Sequence, residues 1–171
     1  MGDTISEKVS QENGIISFSK TWHQPLMWAH YAESHRGLAL GFDVPDSLLF
    51  KINYIENRIK PDRDIDRNSD EMLGLVKNLL TTKHKEWSYE EECRLVRKLE
   101  NCVSEGDKFF SAFNEKTVLK EVILGARYET SNSDQLSSEL KSEGVTFRTA
   151  RAEFKGFRMT PQKLAKLQKQ L

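Results

Sequence analysis

SDEMLGLVKNLLTTKHKEWSYEEECRLVRKL, residues 69–99, changes its apolar rhythm partway along, and the fold class follows from that change. In the first half Met72, Leu75, Val76, Leu79 and Leu80 recur at three- and four-residue spacing, the signature of one helix face. Ser69 stands at the N-cap position, Asp70 and Glu71 occupy the first turn, and Lys83, His84 and Lys85 crowd the last. Both charge clusters suit the dipole of a helix over 70–84. In the second half ECRLVRKL (92–99) reads as a strand.

Working outward, GIISFS (14–19) reads as a short strand, and Pro25 opens a helix over 25–35. That helix carries Trp28, Tyr31, Ala32 and His35 on one face and ends at Arg36-Gly37, with Gly37 as a left-handed cap. LALGFDV (38–44) reads as a buried strand with a bulge at Gly41, and FKINYI (50–55) as a half-exposed strand paired with it. ENRIKPDRDIDRNS (56–69) reads as a flexible loop. Between 100 and 116 the chain reads as a loop whose Phe109, Phe110 and Phe113 cover a core edge. LKEVILGA (119–126) and VTFRTARAE (145–153) are strands, a helix over 132–142 is capped by Ser131 or Ser133 with Leu136 and Leu140 inward, and Thr160-Pro161 opens a C-terminal helix over 161–170. Helices and strands interleave irregularly, which predicts an α+β fold: a mainly antiparallel or mixed sheet with helices packed against it. The length of 171 residues suits one domain, 1–171, with 1–13 as a flexible N-terminal segment.

Composition narrows the function classes. Lys plus Arg and Asp plus Glu are 26 each, so no global basic field points to nucleic acid, although a local patch is compatible with that balance. No stretch approaches the ~20 apolar residues of a membrane span, and the first residues lack the apolar core of a secretory signal. Two cysteines, Cys93 and Cys102, fit reduced thiols. These features predict a cytoplasmic protein without a membrane partner.

His23, His30 and His35 lie close in sequence, but residues 30 and 35 sit about 140° apart on a helix and match no metal-ligand spacing, so no metal site is expected. If the Trp28 face is buried, His30 points elsewhere, to a cleft where a near-neutral pKa is useful. In the run Glu90-Glu91-Glu92, an extended backbone puts Glu90, Glu92 and Arg94 on one face and Glu91 on the other. Glu92 and Arg94 then form a pair that is either structural or functional, Glu90 sits at the mouth, and Glu91 is solvated.

FSKTWHQPLMWAHYAESHRGLALGFD, then KEWSYEEECRLV, then LKEVILGAR resemble in order and spacing a bacterial family designated only as a domain of unknown function, number twenty-nine seventy-one. The shared features are Leu26-Met27-Trp28, His30-Tyr31, His35 with Gly37, Gly41-Phe42-Asp43, Tyr54, Trp87 with Glu90, Glu92 and Arg94, and Gly125. They span residues 15 to 155 or so. Family members usually open with a tyrosine-bearing strand and an Asn-Asp-Pro-Phe turn that this chain does not show, which predicts a truncated, inactive or repurposed member. Such an opening resembles the first strand of the ADP-ribosyltransferase fold, and Glu-x-Glu resembles that fold's catalytic strand.

What the resemblance implies is a nucleotide-directed enzyme: NAD as cofactor, Glu90, Glu92 and His30 as catalytic residues, and Tyr31, His35, Arg94 and Trp87 binding the substrate. The alternative is a non-catalytic binding module of a mobile-element or defence system. An uncovered sheet edge further predicts a homodimer.

Overall fold

The structure, a computed structural model, describes residues 11–60, 65–66, 69–129 and 134–164. It is an α+β fold built from antiparallel and mixed sheets, and the chain divides into two compact units. The first holds residues 1–20 and 45–112, the second 21–44 and 113–171.

In the first unit, β1 (Asn13–Ser19), β6 (Glu92–Lys98) and β3 (Leu49–Lys51) form an antiparallel sheet with β6 in the middle. Arg94 stands opposite Ser17 on one side and Phe50 on the other. β4 (Asn53–Ile55) pairs in parallel with β5 (Thr82–His84), which follows helix α2 (Asp70–Leu80). FKINYI is therefore two strands rather than one, and neither pairs with LALGFD. The break falls at Ile52, whose amide donates to Glu92 O at 3.4 Å, while the Asn53 amide donates to Thr81 O at 2.8 Å.

Helix α2 is capped as its sequence indicates: the Ser69 hydroxyl accepts from the Met72 amide at 3.2 Å, and Asp70 and Glu71 fill the first turn. Its end corrects the expected range of 70–84. The helix stops at Leu80, Thr81 is the C-cap, and Lys83 and His84 belong to β5. β-Branched Thr81 and Thr82 gain more from pairing along β4 than from another helical turn.

Residues 103–110, read from sequence as loop, form a hairpin of β7 (Val103–Glu105) and β8 (Lys108–Phe110). Phe109, Phe110 and Phe113 are exposed, so they do not cover a core edge. Among the described residues of 56–69 before α2 there is no helix or strand.

The second unit is a four-stranded sheet in the order β11 (Met159–Pro161), β10 (Thr146–Ala152), β9 (Val118–Leu124), β2 (Leu38–Asp43). β9 and β10 run parallel; the other pairs are antiparallel. Trp28 and Ala32 pack with Ile123, Ala150 and Met159, while Val122 and Leu124 pack with Val145, Leu140 and Phe147. Alternation along β9 sends Ile123 to one cluster and its two neighbours to the other, so apolar side chains cover both faces of the sheet. Leu38 and Leu40 on β2, the last strand in the order, are exposed rather than buried. The ladder shifts register between Gly41 and Phe42, placing the bulge where glycine allows close approach to Glu121.

Helix α1 (Pro25–Tyr31) is shorter than the expected 25–35. Glu33, Ser34 and His35 all take positive φ (46°, 54° and 70°), a left-handed run that ends the helix ahead of Gly37. The Gly37 amide bonds back to Ala32 O at 2.8 Å. Helix α3 (Asp134–Ser142) occupies the predicted region, but residues 131–133 and the C-terminal stretch from 165 lie outside the described residues. Thr160-Pro161 does not open a helix: both belong to β11, and the Gln162 amide donates to Thr149 O at 2.7 Å.

Candidate functional site

In the first unit, β6 and the turn before it gather four charged side chains. The turn is a run of 3-10 helix, Lys85–Glu90, followed by Glu91 in the left-handed region at φ 45°. Glu90 is therefore not on the strand with Glu92, and it is buried at 3 % exposure rather than set at a mouth. The left-handed residue reverses the chain, so Glu90 and Glu92 still meet, on one ammonium. Lys83 on β5 is bonded to Glu90 Oε2 and lies 3.1 Å from Glu92 Oε2. Glu91 itself is exposed.

Glu92 is the most constrained member. Its Oε1 accepts from Arg94 Nε at 2.7 Å and its Oε2 from Arg94 Nη2 at 3.3 Å, while Arg94 Nη1 donates to the carbonyl that ends helix α2, Leu80 O. The Glu92 amide donates to Tyr54 Oη at 2.8 Å. Burial opposes ionisation of Glu92, but hydrogen bonds from Arg94, Ser17 and Lys83 overcome it and hold the carboxyl at about 2. Burial likewise pulls the Lys83 ammonium down, and its bonds to Glu90 and Glu92 raise it above the ordinary lysine value. The cluster is thus two glutamates, Glu90 and Glu92, gathered with one lysine and one arginine.

Aromatic side chains flank it. Lys83 Nζ lies 5.2 Å from the centre of the exposed Trp87 ring, and Trp87 stands 6.0 Å from Tyr89 at a tilt of 34°. On the other face of β6 the Cys93 thiol is buried, and burial raises its pKa.

Of the residues singled out in the sequence, Glu90, Glu92, Arg94 and Trp87 are brought together here. His30, Tyr31 and His35 belong to the second unit. His30 and Tyr31 are exposed neighbours, their rings 6.2 Å apart at 64°, so the buried side of α1 is Trp28 with Ala32 and excludes Tyr31. His35 is half-buried; burial and then the Arg127 charge lower its pKa. Its carbonyl accepts from the Arg127 amide at 2.9 Å, and its amide donates to Trp28 O at 3.1 Å. His23 Nδ1 lies 2.7 Å from Met159 O, a tie to β11. Among the described residues no group of three or more His, Cys, Asp or Glu side chains could hold a metal ion.

Sequence reading misses Lys83, Ser17 and the partner role of Tyr54. Helical periodicity puts Lys83 at a helix end, yet two buried glutamates with one arginine need a second cation. That charge count is the available signal.

No family model, curated protein or solved structure matches the chain. Among the described residues no helix is long and apolar enough to cross a membrane.

Proposed function

We propose that the chain is a nucleotide-directed enzyme of the ADP-ribosyltransferase kind, with NAD as its ligand and the Glu90–Glu92 cluster as its carboxylate centre. The observation that carries this reading is the pair of carboxylates gathered on Lys83 beside the exposed Trp87 ring. A carboxyl held at about 2 is a poor proton acceptor at neutral pH, so Glu92 does not serve as a general base. The reaction asks for a different contribution, hydrogen bonding that orients the ribose as nicotinamide leaves its anomeric carbon with the bonding electrons. Arg94, Lys83 and Ser17 already bond to the Glu92 carboxylate, so Glu92 acts as the positioning residue and Glu90 is assigned to a ribose hydroxyl. Trp87 supplies a stacking face.

Ligand-observed NMR with NAD, coupled to an assay of nicotinamide release, tests the reading. Trp87→Ala is expected to lose binding, and Glu90→Gln to bind NAD while losing release. No binding at millimolar NAD, or full release by Glu90→Gln, overturns it.

A second reading, a non-catalytic binding module, is favoured by the β7–β8 hairpin, which exposes Val103 and Phe110 as a cross-strand pair, with Phe109 exposed on the other face. It predicts that serine at Val103 and Phe110 abolishes partner capture while Glu90→Gln leaves capture unchanged.

A further inference from the structure

The chain is neutral overall, but its positive charge is unevenly placed. Between residues 148 and 163, β10, the following turn, β11 and the two residues after it carry Arg148, Arg151, Lys155, Arg158 and Lys163 against the single acid Glu153, and of these Arg148 is already paired with Glu121 of β9. Two features fix the turn: Ala152 pairs with Met159, and the Glu153 amide donates to Arg158 O at 2.9 Å. Within it the phenylalanines do not fold inward. Phe154 is 92 % exposed and Phe157 103 % exposed, the two most exposed large apolar side chains of the described residues. The Arg151 guanidinium carbon lies 4.8 Å from the centre of the Phe154 ring, and its Nη1 donates to Ala152 O at 2.9 Å. A guanidinium is thus already seated on one ring, while both faces of the other meet water.

We propose that this hairpin tip is a binding site for single-stranded nucleic acid. Phe157 is the platform on which a base stacks, Phe154 with Arg151 is a second stacking element, and Arg151, Lys155 and Arg158 meet the phosphates. A ligand for this surface must present flat π faces and negative charge in alternation, a few ångströms apart. Each nucleotide of a single strand does so, and stacking tolerates any base because every base has a π face. A duplex hides those faces in its own stack. An anionic bilayer places its apolar layer beneath its charge, which suits rings projecting beyond their cations. Here Arg151 lies against the Phe154 ring itself. The balanced total charge is no obstacle, because a local basic patch supplies the electrostatic footprint. This inference is independent of the reading of the carboxylate cluster.

Anisotropy of a fluorescently labelled single-stranded oligomer of roughly 12 nucleotides, titrated with the full chain at about 50 mM salt, tests it. Saturable binding is expected, weakening as salt rises. Phe157→Ala should lower affinity about tenfold or more, as removal of a base-stacking ring does. Arg151→Gln with Arg158→Gln should flatten the salt dependence by about 0.7 in log–log slope for each phosphate left without its cation. Melting curves should be unchanged for Phe157→Ala, since a fully exposed ring has no packing to lose. Absence of binding at about 100 µM protein, the weak end of non-specific affinity, overturns the proposal. So does Phe157→Ala binding as tightly as the parent, or equal affinity for duplex of the same length. Phe157-dependent binding to phosphatidylglycerol vesicles without Phe157-dependent binding to the oligomer would reassign the tip to a membrane surface and equally overturn it.

Discussion

Lys83 Nζ lies 3.1 Å from Glu92 Oε2 while also bonded to Glu90, so one ammonium from β5 neutralises carboxylates on both sides of the kink at Glu91. Two acids nine and seven residues away in sequence share this cation, and the lysine side chain is only 22 % exposed. The cluster therefore joins β5, the 3-10 turn and β6 through charge rather than through apolar contact.

Replacing Lys83 by Met is expected to destabilise the protein by on the order of 3 kcal/mol, because a buried carboxylate loses its ammonium while the other charges stay. Adding Glu90→Gln to Lys83→Met should recover a substantial part of that loss, since the double change removes a charge of each sign. Chemical denaturation of the four proteins of this cycle measures the coupling. Strict additivity would mean that the two side chains do not interact.

Glu92 gives the protein an acid-labile component. Its carboxyl is held at about 2 when folded, against 4.5 ordinarily, so the stabilisation is fully present above pH 4.5 and is lost as pH falls from there toward 2. The difference amounts to about 3 kcal/mol at neutral pH. Glu92→Gln should remove that acid limb from a plot of unfolding free energy against pH, while Glu91→Gln, at an exposed position, should leave it and stay within about 0.5 kcal/mol of the parent. An unchanged acid limb in Glu92→Gln would place the titrating group elsewhere.

Local signals in the chain are readable where the partners are local. Ser69, Asp70 and Glu71 cap α2 with their own neighbours, and the apolar stripe of that helix is internal to it, so its existence follows from sequence alone. Its end at Leu80 does not, because pairing of Thr82 with Asn53 across a parallel ladder is what takes over. Glu90 shows the same limit more sharply. The gathering of Glu90, Glu92 and Arg94 is legible from spacing, but its mechanism is not: a left-handed glutamate has no compositional mark as glycine does, and period-two alternation mistakes a turn for a strand. Tyr31 lies three residues beyond Trp28 on the expected buried face, yet it is exposed as the last residue of α1, where the chain enters a turn. That turn is held by distant bonds from Gly125 and Arg127.

Tyr54 ties the β4–β5 ladder to the three-stranded sheet of the first unit, its hydroxyl accepting from the Glu92 amide at 2.8 Å. Tyr54→Phe removes this partner from a backbone donor next to the ion cluster and should cost about 1 kcal/mol. Amide hydrogen exchange provides the sharper readout: protection at Glu92 should fall selectively, with the neighbouring β6 amides less affected. Equal protection in both proteins would show that the bond contributes nothing in solution.

The turn after α1 is where backbone strain is concentrated, and it yields a prediction of opposite sign at two positions. Glu33, Ser34 and His35 all have positive φ, a region that costs a residue with a Cβ about 1–2 kcal/mol. Ser34 is exposed, so a change there alters the backbone preference with little effect on packing. Ser34→Gly relieves the strain but also loosens the unfolded chain, which leaves a net gain of about 0.5–1 kcal/mol and a rise of a few degrees in Tm. Ser34→Val, β-branched, should lower Tm instead. What holds the strained run in place is the end of β9: the Gly125 amide donates to Gly37 O at 2.9 Å, and the Arg127 amide to His35 O at 2.9 Å. A Cβ on Gly125 would clash with His35 O and come within 2.7 Å of Gly37 O, both rigid backbone atoms. Gly125→Ala should therefore destabilise by about 2–3 kcal/mol through forced backbone displacement. Thermal melts of the three variants check the whole arrangement. If Ser34→Gly lowers Tm, the left-handed turn is not the conformation in solution; if Gly125→Ala is neutral, β9 does not hold that turn.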